Sequence, residues 1–189
     1  HNHPLALYME HIRRRAWREV GELLVDSARK VAACGAEFAV SPDNTIHQAF
    51  PVAEAGSPIP WLHIGRVVGR AAQRRGYGKL GILGTRYLVE GPVYPDALEP
   101  LGIEAIIPPE EDRERVNAII FDELVKGELH EASRLYINEV MGRLASRGAD
   151  AAVLGCTEIP LLVDPQSAPL PTLDSTRLLA RAAIRESLA

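Results

Sequence analysis

Two stretches of the sequence repeat each other, and each carries a side chain that can exchange a proton. Residues 35–46 align without a gap on residues 148–159, GAEFAVSPDNTI on GADAAVLGCTEI. The alignment pairs Asp43 with Cys156, a carboxylate with a thiol. Each copy follows an amphipathic segment and holds an apolar run of strand length, which indicates a chain built from two related halves.

The equivalence of Asp43 and Cys156 has a chemical meaning. Both follow a predicted strand, and ligands in open α/β sheets bind beyond the carboxyl ends of the strands. A helix start next to each position could hold a carboxylate and lower the pKa of a thiol. If the halves face each other, the two side chains flank one ligand. A racemase needs this arrangement, because one group removes the α-proton and the other returns a proton to the opposite face.

Less functional interpretations exist for the same residues. Asp43 could have a purely structural role as the cap of the helix predicted to begin near Thr45, a favoured role for Asp. Glu158 could orient or relay a proton beside Cys156, or lie on a solvent-facing helix. His47 could support the cleft or occupy a first helical turn. Cys34 ends an apolar helical stripe, which predicts a buried core residue.

Short apolar runs alternate with amphipathic segments along the chain, a pattern typical of parallel sheet covered by helices. We predict strands at residues 5–8, 37–40, 61–64, 80–83, 104–107 and 151–154. Helical stripes cover residues 17–34, 116–124 and 135–144, and a last helix at 176–188 is expected to cross back to the first half. The predicted fold is α/β, with two pseudo-symmetric parallel-sheet halves around a cleft. The first half comprises residues 1–76 plus 174–189, and the second comprises residues 77–173.

Composition narrows the classes of partner. The net charge of −4 argues against nucleic-acid binding, which needs a clustered basic surface. No apolar run approaches the roughly 20 residues of a membrane span, and we expect no signal peptide. We therefore expect a cytoplasmic protein. Two cysteines and six scattered histidines fit neither a disulfide framework nor a metal-ligand spacing, so we expect no metal.

The segment LGCTEIP at residues 154–160 resembles the second signature of the cofactor-independent aspartate/glutamate racemase superfamily. The segment DNTIH at residues 43–47 resembles the first signature, usually Cys-Asn-Thr, a small residue and His. LGTR at residues 83–86, after a strand, extends the resemblance over nearly the whole chain.

The resemblance implies an activity and a set of site residues. In that superfamily two thiols act as acid and base without pyridoxal phosphate or a metal, so Cys156 is expected to be one of them and no cofactor is expected. Positions that commonly hold the α-carboxylate or amine of the substrate match Asn44, Thr45, Thr85 and Thr157. The expected ligand is a small amino or carboxylic acid, and the expected reaction is racemisation of an acidic amino acid such as aspartate or glutamate. Homodimers are common in the family.

The chain departs from the family pattern in two places. Asp43 stands where the first cysteine usually lies, and a carboxylate of ordinary pKa is a weaker base than a thiolate unless burial raises that pKa. Family members also typically begin one strand and one helix earlier, with a glycine-rich turn that lines the cleft.

Two other functions fit the sequence. Arylmalonate decarboxylases, in the same superfamily, resemble this chain in having a single catalytic cysteine in the second half. A catalytically silent homologue could have kept the cleft and lost one base. Product analysis separates the three, since racemisation interconverts D and L forms, decarboxylation releases carbon dioxide, and a silent homologue only binds.

Overall fold

All strand pairings in the part of the chain that the computed structural model describes, residues 1–188, are parallel. The first sheet holds two strands, β1 (Ala39–Val40) and β2 (Trp61–Leu62). The second holds four in the order β4-β3-β5-β6, namely β3 (Lys79–Leu83), β4 (Glu104–Ile106), β5 (Ala151–Leu154) and β6 (Thr172–Asp174). The predicted α/β class with two parallel sheets is confirmed.

Helices connect the strands, as parallel pairing requires. In chain order they are α1 (Leu5–Arg13), α2 (Trp17–Ala33), α3 (Phe50–Gly56), α4 (Ile64–Arg74), α5 (Arg86–Val89), α6 (Val93–Leu98), α7 (Glu110–Ala118), α8 (Glu131–Ser146), α9 (Ile159–Leu162) and α10 (Ser175–Glu186). Short 3₁₀ segments lie at Thr45–Ala49, Glu99–Leu101 and Leu124–Lys126, and a π-helical turn at Ile119–Glu123 extends α7.

The internal repeat of the sequence is also present in the strand register. Ala39 and Val40 pair with Trp61 and Leu62. In the same way, the aligned residues Ala152 and Val153 pair with Thr172 and Leu173. In both halves the same main-chain bond precedes the pairing: Ala39 N donates to Pro60 O at 2.8 Å, and Ala152 N donates to Pro171 O at 2.9 Å. The two strand pairs therefore start in the same register, although β5 continues one residue further, to Leu154, than β1 does.

The equivalence continues into the next helices. His63 caps α4 by accepting from Arg66 N, and Asp174 caps α10 by accepting from Arg177 N. These two helices pack against each other, and α10 also contacts β2. The last helix therefore contacts elements that lie within residues 1–76. The division of the chain at residues 76 and 173 remains a prediction.

Side chains of the four-stranded sheet alternate between two cores. Leu83, Ala152 and Leu154 pack in one core with residues of α7 and α8, such as Val116 and Leu144. Leu80, Ile82, Ala151 and Val153 pack in the other, with residues of α4 and α6. A third core joins α1, α2 and the 3₁₀ segment at Thr45–Ala49. Helices therefore cover both faces of the four-stranded sheet.

The prediction of a strand at residues 5–8 is wrong, because these residues begin α1. Leu5, Met9 and Ile12 recur at steps of three and four, a helical period that a four-residue apolar run conceals. The prediction that Cys34 is buried is also wrong, because its side chain is exposed. It lies at the C-terminal cap of α2, one residue past the helix, where the chain has turned away from the core.

Across residues 1–188, none of the helices has the length and hydropathy that a membrane span requires.

Gly155 lies directly before Cys156, where the ends of β3 and β5 approach each other closely. A substitution at Gly155 tests this close approach. A Cβ at Gly155 would lie 2.8 Å from Leu83 O and 2.6 Å from a methyl group of Leu88. Because Leu83 O is main chain and cannot swing away, Gly155→Ala should lower the free energy of unfolding by about 1–3 kcal/mol. Urea denaturation of the two proteins measures the difference.

Gly142→Ala is the matched control. Gly142 lies inside α8, and the position that a Cβ would occupy there is open space. This substitution should raise the free energy of unfolding by about 0.5–1 kcal/mol through helix propensity. Equal stability of the wild-type and Gly155→Ala proteins would contradict the close approach of the β3 and β5 ends.

Candidate active site

A cleft of about 270 Å³ lies where the carboxyl ends of the two sheets face each other. Asp43 reaches it from the loop after β1, Cys156 from the loop after β5, and Thr85 from the loop after β3. Seven of the residues singled out in the sequence line this cleft: Asp43, Asn44, Thr45, Thr85, Cys156, Thr157 and Glu158. The eighth, His47, lies behind Asp43 and borders a smaller cavity of about 130 Å³.

Asp43 has one carboxylate oxygen committed to the main chain. Its Oδ1 accepts from Thr45 N at 2.7 Å and from Ile46 N at 3.3 Å, which is the capping role that the sequence allowed. No protein hydrogen bond to Oδ2 is seen within residues 1–188. Burial raises the pKa of this carboxyl, the two main-chain donors oppose the change, and the negative charge of Glu158 adds to it. Asp43 can therefore cap the 3₁₀ segment and still present a carboxylate of increased basicity.

Cys156 is 9% exposed, and its thiol donates to Glu158 Oε2 at 3.0 Å. The same oxygen accepts from Thr157 Oγ1 at 2.6 Å. Burial raises the pKa of the Cys156 thiol well above its ordinary value, and the Glu158 carboxylate raises it further. Two main-chain N–H groups at the start of α9 oppose this change but are outweighed. The expected lowering of the thiol pKa by the helix start is therefore wrong, because α9 has only four residues and the thiol is largely desolvated.

A buried hydrogen-bonded chain joins the two halves behind these groups. Tyr94 Oη donates to Asn44 Oδ1 at 2.6 Å, Asn44 Nδ2 donates to Ser175 Oγ at 3.0 Å, and Ser175 Oγ donates to Leu154 O at 2.9 Å. Asn44 is only 3% exposed and Ser175 is fully buried. Asn44 thus has a structural task beside its predicted contact with substrate.

Two threonines bridge the halves at the cleft itself. Thr45 Oγ1 and Thr85 Oγ1 lie 3.2 Å apart, and Thr85 Oγ1 also accepts from Leu88 N at 3.3 Å as the cap of α5. Thr157 is exposed, whereas Thr45 is buried. Binding of a substrate carboxylate by these threonines stays a prediction, and the hydroxyl group of Thr157 already donates to Glu158.

His47 stands directly behind Asp43. Its Nδ1 lies 2.8 Å from Asp43 O, which can only accept, so Nδ1 carries the hydrogen and Nε2 does not. The ring stacks on Phe50 at 4.0 Å between centroids and meets the His63 ring edge-on at 4.8 Å. Complete burial and the neighbouring His63 hold the pKa of His47 well below its ordinary value. A neutral His47 therefore supports the turn that presents Asp43.

Tyr94 and Ser175 were not found from the sequence. Ser175 follows the strand end at Asp174, and the internal repeat could have drawn attention to that position. Tyr94 carries no comparable signal, since it lies in α6 about 50 residues from Asn44 in the chain. The apolar residues of the cleft were also missed, because the sequence does not show which helices border it.

Two further features lie outside the cleft. A larger groove of about 650 Å³ shares Ile12 with it but contains neither Asp43 nor Cys156. Within residues 1–188, the one group of side chains close enough to share a metal ion is His1, His3 and Asp26, with ligand atoms within 4.8 Å of one another. These three do not line the cleft, and Asp26 already pairs with Lys30 at 2.6 Å.

Comparison with known proteins shows the family of the chain. The sequence model of the family described as Asp/Glu/Hydantoin racemase matches residues 2–183. The broad specificity amino-acid racemase RacX of Bacillus subtilis is 24% identical over 171 residues, which is 90% of this chain and 74% of RacX. Glutamate racemase of Thermus thermophilus is 30% identical over 193 residues, which is 96% of this chain and 63% of the relative.

A solved structure named as a racemase also resembles this chain. A crystal structure from Yersinia pestis, named as an Asp/Glu racemase, superimposes with a TM-score of 0.88 at 37% identity, over 96% of this chain and 79% of that one. Equivalent loops that bring a carboxylate and a thiol to one cleft, a matched sequence family and a shared fold lead to one conclusion. The chain belongs to the Asp/Glu/hydantoin racemase family of isomerases.

Proposed function

We propose that this chain racemises an amino acid by two-base proton transfer, with Asp43 and Cys156 as the two groups. One observation carries the proposal: the two side chains leave equivalent strand ends of opposite halves and line the same cleft. An amino acid held between them has one group on each face of its α-carbon. Two-base racemisation requires this.

The pKa shifts of Asp43 and Cys156 indicate which of the two groups carries a proton before the reaction begins. The high pKa of the Cys156 thiol keeps its proton in place at neutral pH, and the Asp43 carboxyl is the stronger acid of the two. In one direction Asp43 takes the α-proton as the Cα–H bond breaks. The electron pair left on the α-carbon then takes the proton of the Cys156 thiol from the opposite face. The protein is left with a protonated Asp43 and a Cys156 thiolate.

Glu158 helps to return the site to its starting form. Its carboxylate lies 3.0 Å from Cys156 Sγ, so a negative thiolate there is disfavoured and readily regains a proton. Thr157 holds the same carboxylate oxygen and keeps it directed at the thiol. The reverse reaction, which starts from the other enantiomer, returns a proton to Cys156 and takes the proton from Asp43, and so restores the starting form.

Aspartate and glutamate are the first substrates to assay, because the family description and the name of the Thermus relative contain them. The printed name of RacX, a broad specificity racemase, extends the panel to other amino acids. Decarboxylation of a malonate is the weaker candidate. Its two carboxylates would both enter a cleft whose charged lining, within the described residues, consists of Asp43 and Glu158.

Incubation with L-amino acids in deuterated water tests the reaction. Racemisation breaks the Cα–H bond, so deuterium should appear at the α-carbon together with the D enantiomer, as followed by mass spectrometry and chiral chromatography. Release of carbon dioxide from a malonate without exchange into any amino acid would favour the lyase instead.

Cys156→Ser should lower the rate of inversion by about 100-fold or more, because it removes a positioned acid that general acid–base catalysis depends on. Cys34→Ser is the matched control, since Cys34 is exposed and lies at the end of α2. It should retain the wild-type rate. Inversion at the wild-type rate in the Cys156→Ser protein would remove the thiol from the mechanism.

Substitutions at Asp43 test the second group. Asp43→Asn has no carboxylate to accept the α-proton and should lose inversion, whereas Asp43→Cys supplies a second thiol and should retain it. Chiral chromatography of the products measures both variants. Loss of inversion in both proteins would mean that position 43 does more than carry a proton.

The raised pKa of Asp43 also predicts a dependence of stability on pH. Because the folded pKa lies above the ordinary value of 3.8, ionisation of Asp43 lowers stability progressively as the pH rises above about 4, and the full cost is reached once the pH exceeds the folded pKa. Asp43→Asn keeps the capping acceptor without the charge. It should therefore be more stable than wild type at pH 7, and the difference should vanish toward pH 4.

Asp43→Ala separates the charge from the cap. It removes the acceptor for Thr45 N and Ile46 N and should cost about 1 kcal/mol relative to Asp43→Asn at any pH. Urea titrations at several pH values measure the three proteins. An Asp43→Asn protein less stable than wild type at pH 7 would contradict the burial of a costly charge.

A further inference from the structure

One wall of the cleft is apolar. Six of its residues have apolar side chains and come from two places in the fold: Leu5, Met9 and Ile12 from α1, Ile120 and Phe121 from the π-helical turn, and Val125 from the 3₁₀ segment that follows. The π-helical turn brings neighbouring residues 120 and 121 to the same cavity. Apolar side chains with a few convergent polar groups are the usual lining of a small-molecule site.

Two of these side chains are exposed at the wall. Leu5 is 57% exposed and Val125 is 49% exposed, although they lie 120 residues apart in the sequence. Single exposed apolar residues are common on protein surfaces. Two that converge on the cavity of a reactive thiol, next to the buried Ile12 and Ile120, instead form a surface that an apolar ligand would cover.

The charges of the cleft have one sign. Among the described residues, its charged lining consists of Asp43 and Glu158, and both are carboxylates. Arg13, Arg15 and Arg86 line the larger neighbouring groove and not this cleft. A second carboxylate on the substrate would lose its hydration beside like charges, which is costly, whereas an ammonium group would be attracted.

From this lining we infer that the substrate is an α-amino acid with an uncharged, apolar side chain, of the size of leucine, methionine or phenylalanine. The ammonium group lies toward Asp43 and Glu158, and the side chain packs against the wall formed by α1 and residues 120–125. A cavity of about 270 Å³ suits one amino acid. The inference rests on the proposed racemisation and replaces the acidic substrate class suggested by the resemblance.

Leucine and aspartate make a matched pair for the test, because both branch at the γ-carbon and differ chiefly in the charge of the two terminal atoms. Deuterium exchange at the α-carbon should show a kcat/KM for L-leucine at least about tenfold above that for L-aspartate. An equal or higher value for aspartate overturns the inferred class and leaves the proposed racemisation intact.

A cation placed on the apolar wall should reduce the preference for leucine over aspartate. Val125→Arg puts a guanidinium at an exposed position of the wall and should reduce the ratio of leucine to aspartate by about tenfold. Ile184→Arg, at an exposed site on α10 outside the cleft, is the control and should leave the ratio unchanged. The same ratio in the Val125→Arg and Ile184→Arg proteins would overturn the assignment of the wall.

Thermal stabilisation by added amino acid separates this inference from the proposed reaction. If no amino acid exchanges its α-proton, racemisation fails, and the ligand that raises Tm then decides the substrate class. A rise with L-leucine but not with L-aspartate supports the apolar site. A rise with L-aspartate, or with neither amino acid, overturns it.

Discussion

The hydrogen-bonded chain from Tyr94 through Asn44 and Ser175 to Leu154 O is the constraint on which the site depends. It joins α6, the loop after β1, the start of α10 and the end of β5. Asn44 is the immediate neighbour of Asp43, and Leu154 lies two residues before Cys156. A typical buried hydrogen bond adds about 0.5–1.5 kcal/mol, whereas one unsatisfied buried partner costs about 1–3 kcal/mol. The loss of one partner would therefore affect both sides of the cleft.

The internal repeat explains how two different reactive groups come to face each other. Equivalent strand pairs, with Ala39 opposite Trp61 and Ala152 opposite Thr172, are followed by the loops that carry Asp43 and Cys156. The packing of α4 on α10 holds the helix that follows β6 against the helix that follows β2. Divergence within the repeat then falls on the side chains, where one loop carries a carboxylate and the other a thiol.

Desolvation sets the acid–base character of the site. It raises the pKa of Asp43 and of Cys156, because each group is anionic when deprotonated, and it lowers the pKa of His47, which is cationic when protonated. All three shifts favour uncharged forms. Ile120, which is buried in the same core as Cys156, shares in excluding water from the thiol.

The sequence alone determined the α/β class, the internal repeat and the pairing of Asp43 with Cys156, because these follow from periodicity and from local alternation of apolar runs. Five of the six predicted strands form within one or two residues of their expected positions. A four-residue apolar run at residues 5–8 fits the period of a helix as well as that of a strand. Packing of α1 against α2 and the Thr45–Ala49 segment decides for the helix. Only the tertiary structure decided the direction of the Cys156 pKa shift, the contact of Tyr94 with Asn44 and the apolar wall. These depend on which distant segments exclude water from a given atom, and burial of that kind arises from the packing of all the elements together.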